Sequence, residues 1–219
     1  MDPFVIVIIL GTLAVVVGLV ALGSYLERKR REAVTAFAEG NGFTVDADTG
    51  GFQAAMGSFK LFSRGRARQV KNLIRAARDE REVAVCDYQY TTGSGKNSHT
   101  HRQTICVVQA PGTDLGHFFV RRQVAVFDFL GKVFGGQDIN FEDDPEFSKT
   151  YVLQGLSGED DLRRRFGAHA RQALVGLAGK RIQVEGLGDR LLLHYGTRLG
   201  TDRFRELVDD ALAVRRLFG

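Results

Sequence analysis

Eleven residues, Thr91 to His101 (TTGSGKNSHTH), bring two glycines, a lysine, several hydroxyls and two imidazoles into one short stretch. Parts of this kind serve a phosphate cradle, a metal site or an exposed binding loop, and spacing separates the three. A P-loop needs G-x-x-x-x-G-K-[ST], so that backbone amides wrap the phosphates and a hydroxyl reaches magnesium. With Gly95-Lys96 as the GK pair, the first glycine falls on Tyr90 and the hydroxyl on Asn97. Both positions fail, and the segment leads into a strand pattern where a P-loop enters a helix. Looser anion binding by loop amides, with Lys96 beside them, stays compatible. His99-Thr100-His101 is expected to place its imidazoles on opposite faces, and no third ligand or cysteine is spaced to complete a zinc site. The surviving expectation is ligand or partner contact through Lys96, His99 and His101, with no metal and no cofactor.

Other motifs are tested in the same way. Cys86 and Cys106 lie twenty apart and could touch across a hairpin, but in a cytoplasmic setting two reduced, buried side chains are expected. Asp138-Ile139-Asn140-Phe141-Glu142-Asp143 begins like a calcium loop. Its sixth position is Asp143 where glycine is needed, and its twelfth is Lys149 where glutamate is needed. No G-x-S-x-G elbow or recognisable catalytic set is present, which argues against a standard hydrolase. Lys60 to Arg81 carries eight basic residues against Asp79 and Glu80. A nucleic-acid groove interleaves such charge with stacking aromatics, and only Phe62 is available. A solvated face near the anionic inner leaflet is expected, and nucleic acid is not an expected partner.

The elements that must position the loop follow from periodicity. Glu82 to Gln109 reads as two β-rich runs around a polar, Gly-containing centre, a hairpin signature. Centred on Lys96, it would oppose Cys86 to Cys106, Ala84 to Val108 and Tyr88 to Thr104. Phe43 to Val45 and Phe59 to Phe62 look like short strands, Val124 to Phe134 like a helix closed by Gly135-Gly136, and Phe147 to Leu153 like a strand. Ser157 with Asp160 suggests a capping box for one helix through Leu162, Phe166, Ala170, Ala173, Leu174 and Leu177, stopped by Gly179. Arg181 to Glu185 and Arg190 to His194 form a second hairpin around Gly186 to Asp189. A last helix, capped near Thr201, buries Phe204, Leu207, Val208, Ala211 and Leu212.

The amino-terminal end carries the strongest pattern. Phe4 to Leu26 is 23 residues without a charge, where about 20 suffice to cross a bilayer core. A cleaved signal peptide would want basic residues ahead of the apolar run, and Met1-Asp2-Pro3 has none. Phe4 and Tyr25 would stand about 31 Å apart along a helix axis, near the two interfaces where aromatic rings settle. Arg28, Lys29, Arg30 and Arg31 follow directly and predict, by the positive-inside rule, a single pass through a bacterial inner membrane. The amino terminus would lie outside and the rest of the chain in the cytoplasm. The same four residues could contact anionic lipid. Helix should continue to Gly40-Asn41-Gly42, a typical stop.

The organisation expected is therefore a transmembrane anchor over 1–26 with bilayer contact through 4–26, a basic flank and stalk helix over 27–42, and a cytoplasmic domain over 43–219. With 44% hydrophobic residues and a formal charge of +4, the chain can build a real core. Its elements lack regular βαβ alternation, so the fold class is α+β: an amino-terminal transmembrane helix and a mixed, mainly antiparallel domain. The segment from Phe141 to Phe147 is the natural place for a division into subdomains 43–141 and 147–219.

Asp87-Tyr88-x-Tyr90-Thr91-Thr92-Gly93-Ser94-Gly95-Lys96-Asn97, followed by Thr100-His101-x-Gln103-Thr104, resembles a hairpin of uncharacterised bacterial single-pass membrane-anchored proteins. Phe147-Ser148-x-x-Tyr151-x-Leu153, with the helix, hairpin and last helix after it, is similar to bacterial domains of unknown function. The resemblance implies architecture and no activity. The functional expectation is a domain that binds a protein or membrane-linked partner; the competing one is a membrane-tethered enzyme or ligand-binding domain using the 91–101 loop.

Overall fold

A computed structural model of the chain describes residues 3–123, 137–155 and 158–218. The chain divides into two compact units after Phe43.

The first unit is one helix, α1 (Pro3–Gly40), whose apolar stretch is exposed and which is long and apolar enough to cross a membrane. At 1.5 Å per residue its 38 residues reach about 57 Å, roughly twice a hydrocarbon core, so the basic cluster continues the same helix. Thr12 donates its hydroxyl to the Ile8 carbonyl at 2.8 Å, so this polar group is satisfied inside the apolar stretch. Arg28 pairs with Glu32 one turn on, and Lys29 lies over the Tyr25 ring. The helix stops where expected. The Asn41 and Phe43 amides both donate to the Ala38 carbonyl, and Gly42 has a φ of +67°, which a Cβ would disfavour.

The second unit is built on β1 (Thr44–Val45), β2 (Arg66–Arg78), β3 (Arg81–Thr92), β4 (His99–Gln109), β5 (His117–Arg122), β6 (Gln137–Ile139), β7 (Tyr151–Gly155), β8 (Gln183–Leu187) and β9 (Arg190–His194). They form one nine-stranded sheet, order β1-β2-β3-β4-β9-β8-β5-β7-β6, and every recorded pairing is antiparallel. The fold is α+β, as the sequence implies. Strands from both sides of Phe141 to Phe147 share this sheet.

Strand alternation divides the sheet's core. Ala84, Cys86, Tyr88, Ile105, Val107 and Leu192 join Phe52 of α2 (Thr49–Ala55) and Leu61 and Phe62 of α3 (Lys60–Ser63) in one buried cluster. The opposite face, with Val83, Val85, Cys106, Val108, Leu191 and Leu193, is buried where α7 (Phe204–Arg216) packs on β3, β4 and β9. All five core residues expected of the last helix are buried.

Four expectations are corrected. Phe59 to Phe62 makes a helical turn, because Phe59, Leu61 and Phe62 all enter one cluster and a strand would turn them to both faces. Phe147 to Leu153 starts as α4 (Pro145–Thr150): Asp144 caps it by accepting from the Phe147 amide at 3.0 Å, Pro145 fits its first turn, and only Tyr151 onward is strand. The long helix breaks into α5 (Glu159–Arg165) and α6 (Ala168–Gly176), where Phe166 leaves helical backbone to pack on Phe118 and Phe218. The Glu82 to Gln109 hairpin is slipped by one residue: Cys86 opposes Ile105, Ala84 opposes Val107 and Tyr88 opposes Gln103. A slip of one exchanges faces, so the two buried, free cysteines lie on opposite sides of the sheet. Ser157 of the expected capping box and the helix expected from Val124 to Phe134 lie outside the described residues.

Candidate functional site

The Thr91 to His101 stretch is the tip of the β3–β4 hairpin. Thr92 and His99 are its last pair, and Gly95 to Asn97 forms a 3-10 turn between them. That turn makes a six-residue loop, which is why the register is centred half a residue before Lys96. Gly93 has a φ of +72°, and a Cβ there would lie 2.2 Å from the Asn97 carbonyl oxygen. Arg66 clamps the loop, donating to the Gly93 carbonyl and, at 3.4 Å, to the Ser98 hydroxyl.

Lys96 and His99 are exposed, and His101 is half-buried. The expectation that the two histidines face opposite ways is overturned, since residues two apart on a strand share a face. Their ring centroids are 4.6 Å apart, edge to face. His101 also stacks on Tyr90 at 4.7 Å and meets the Thr92 hydroxyl through Nε2 at 2.9 Å. Burial, then the charges of His99 and Arg64, hold the His101 imidazole below its ordinary pKa. Tyr90 continues inward to Tyr88, Phe62 and Phe52. An aromatic column thus joins the exposed tip to the core. Among the described residues no group of three or more His, Cys, Asp or Glu could hold a metal ion.

The basic run differs from a solvated face. Arg68 donates to the Phe62 carbonyl, Arg75 pairs with Asp46 and Glu82, and Lys60 reaches Gln154 while lying over the Phe119 ring. Burial lowers the Lys60 pKa, against the raising effect of Glu185. Arg64 shares the Phe119 ring with Lys60, and with Arg66 on the tip at least five of the eight cations make contacts within the domain.

Three features escape sequence inspection because their parts are far apart in the chain. Asp87, 6% exposed, accepts from Asn72 Nδ2, the Thr104 hydroxyl and both Nε and Nη2 of Arg198 at 2.9 to 3.2 Å. Glu185, 1% exposed, accepts from the Lys60 amide at 2.8 Å and lies 3.0 Å from His117 Nε2. The third is a cavity of about 380 Å3 between α2 and the sheet, at the base of the hairpin. Register explains its lining. Arg75, Ala84 and Val107 form one row across β2, β3 and β4; Glu82, Gln109 and Arg190 form the next, at the sheet's end. Lys96, His99 and His101 line neither this cavity nor a smaller one beside Glu185.

The chain thus joins a helix long and apolar enough to cross a membrane to an α+β unit built on one nine-stranded antiparallel sheet with a clamped hairpin tip. No family model and no curated protein matches the chain. Among solved structures it is similar to the crystal structure of the mycobacterial trehalose monomycolate transport factor A, TtfA. The TM-score is 0.54 at 12% identity, covering 86% of this chain and 91% of that one. At that identity the likeness is one of fold.

Proposed function

We propose that this chain is a single-pass membrane protein whose α+β domain, on the cytoplasmic side, docks a protein partner of a membrane transport system. The observation that carries this reading is the pairing of a candidate membrane span with a fold likeness that covers 86% of this chain and 91% of a chain described as a transport factor. The basic cluster Arg28 to Arg31 at the end of the apolar stretch supports the cytoplasmic orientation and is the natural contact for anionic headgroups. The hairpin tip supports docking: its backbone is clamped, its aromatic column is rigid, and it presents Lys96 and His99 at low ordering cost.

The test compares complexes solubilised from native membranes. The wild-type chain is expected to migrate with a partner on native gels, and a chain carrying Lys96→Glu with His99→Ala is expected to migrate alone. A wild type that migrates alone, or a complex indifferent to the tip, would overturn the docking role.

A further inference from the structure

The sheet face that α7 packs on is buried at Val83, Val85, Cys106 and Val108, but toward the hairpin tip the same face opens to solvent. Register lays its residues out in rows across β2, β3 and β4: Arg66, Thr91 and Thr100 nearest the tip, then Gln69, Gln89 and Arg102, then Lys71, Asp87 and Thr104. Side-chain contacts follow these rows. The Thr91 and Thr100 hydroxyls meet at 3.1 Å, and Gln89 Nε2 donates to Gln69 at 3.3 Å. The third row is closed by the segment after β9, where Arg198 holds Asp87 and the Leu199 amide donates to Thr104. The first two rows are not: Arg66, Gln69 and Arg102 are exposed, and Gln89, Thr91 and Thr100 are half-buried.

This panel is positive throughout. No Asp or Glu occurs from Thr49 to Arg78 or from Tyr88 to Thr113, so Asp87 is the one carboxylate in the rows, and it is buried and already engaged by Arg198. Arg66, Lys71 and Arg102, with Lys96 at the tip, make no ion pair among the described residues. Arg66 spends only two of its five N–H donors on the Gly93 carbonyl and the Ser98 hydroxyl. Tyr88, Tyr90 and His101 stand on the opposite face, so this one offers no ring for base stacking or for a membrane interface.

We propose that the open panel docks an acidic, extended segment of the protein partner, with carboxylates on Arg66 and Arg102 and polar groups on the threonine hydroxyls and glutamine amides between them. β2 and β4 stand two strand spacings apart, about 10 Å, so the two guanidiniums grip carboxylates of separate residues. Uncompensated positive charge attracts such a segment and turns cationic surfaces away. The inference rests on the docking reading of the adjoining tip and names the chemistry of the partner.

The test uses the full chain in zwitterionic nanodiscs and a fluorescent oligoglutamate peptide, with anisotropy as readout. Binding is expected, and Arg102→Glu is expected to weaken it about tenfold. The Arg102 side chain makes no hydrogen bond or ion pair among the described residues, so this variant keeps the fold. Lys149→Glu, the same charge change at an exposed position on α4, is expected to weaken binding less than about twofold. Absence of peptide binding, or equal losses in the two variants, overturns the proposal. So does binding to phosphatidylglycerol vesicles that is lost in Arg102→Glu while the peptide does not bind. A wild type that migrates alone on native gels overturns the docking reading instead, and peptide binding that depends on Arg102 would still establish the acid-binding panel.

Discussion

Tyr90 and His101 face each other across the β3–β4 hairpin and stack with ring centroids 4.7 Å apart, 15° from parallel. This contact carries the column that begins at Phe52 out to the tip, and it separates two kinds of tip residue. His101 belongs to the fold. His99 packs edge to face on its outer side, and Lys96 stands beyond on the loop, exposed.

His101→Ala should therefore cost about 1 kcal/mol through the lost stack. Lys96→Ala should change stability by less than about 0.5 kcal/mol. Urea denaturation of the full chain in detergent measures both, and equal losses would contradict the division of roles.

The two tip glycines should also differ. Gly95 has a φ of +53° with open space where a Cβ would go, so Gly95→Ala should cost only the left-handed backbone penalty of about 1–2 kcal/mol. At Gly93 the same change drives a methyl into the Asn97 carbonyl and should cost more, about 2–4 kcal/mol. Gly93→Ala melting no lower than Gly95→Ala would contradict the loop geometry.

Stability should fall as pH drops below about 6.5, the ordinary histidine pKa. Burial pushes the His194 imidazole down to about 3, and its Nδ1 accepts from the Gly196 amide at 3.0 Å. His101 is lowered as well. The unfolded chain takes up protons that the folded one refuses, so the stability is fully present above the unfolded pKa and is lost toward the folded one. Between about pH 7.5 and about pH 5.5 the His194 contribution to this loss is about 1.4 kcal/mol. His194→Gln should flatten the dependence; a wild type equally stable at both values would contradict it.

Asp87 ties β3 to β2, β4 and the segment after β9, so Asp87→Ala should cost about 3 kcal/mol by leaving the Arg198 guanidinium and Thr104 without their shared acceptor. A double-mutant cycle with Arg198→Met should show coupling of about 1–3 kcal/mol. Additive losses would mean that the network is not cooperative.

Legibility in the sequence followed the range of the interactions. Alternation around glycines was enough for both hairpins, the apolar spacing was enough for α7, and the Gly40-Asn41-Gly42 run was enough for the stop of α1. The register of the first hairpin was out of reach, since a 3-10 turn at Gly95 to Asn97 shifts it by one residue and so changes which face each cysteine occupies. Phe59 to Phe62 is apolar in a pattern that suits strand or turn, and only the cluster around Phe52 and Tyr88 decides between them. The Asp144-Pro145 cap was a readable local signal for α4 that an apolar strand pattern masked. The cavity needs Asp48, Glu82 and Arg190 together, which no local pattern brings into view.

Orientation has its own check. A carboxyl-terminal phosphatase that works only in the periplasm should be inactive when fused after residue 219. Activity there would reverse the orientation proposed from Arg28 to Arg31.

The docking role is tested most directly by proximity at the hairpin tip. A photoreactive amino acid at position 96, in membranes of the native cell, should give one discrete protein adduct, and the same group at position 163, on exposed α5, should give none. Adducts of equal yield at both positions, or none at position 96, would contradict the account.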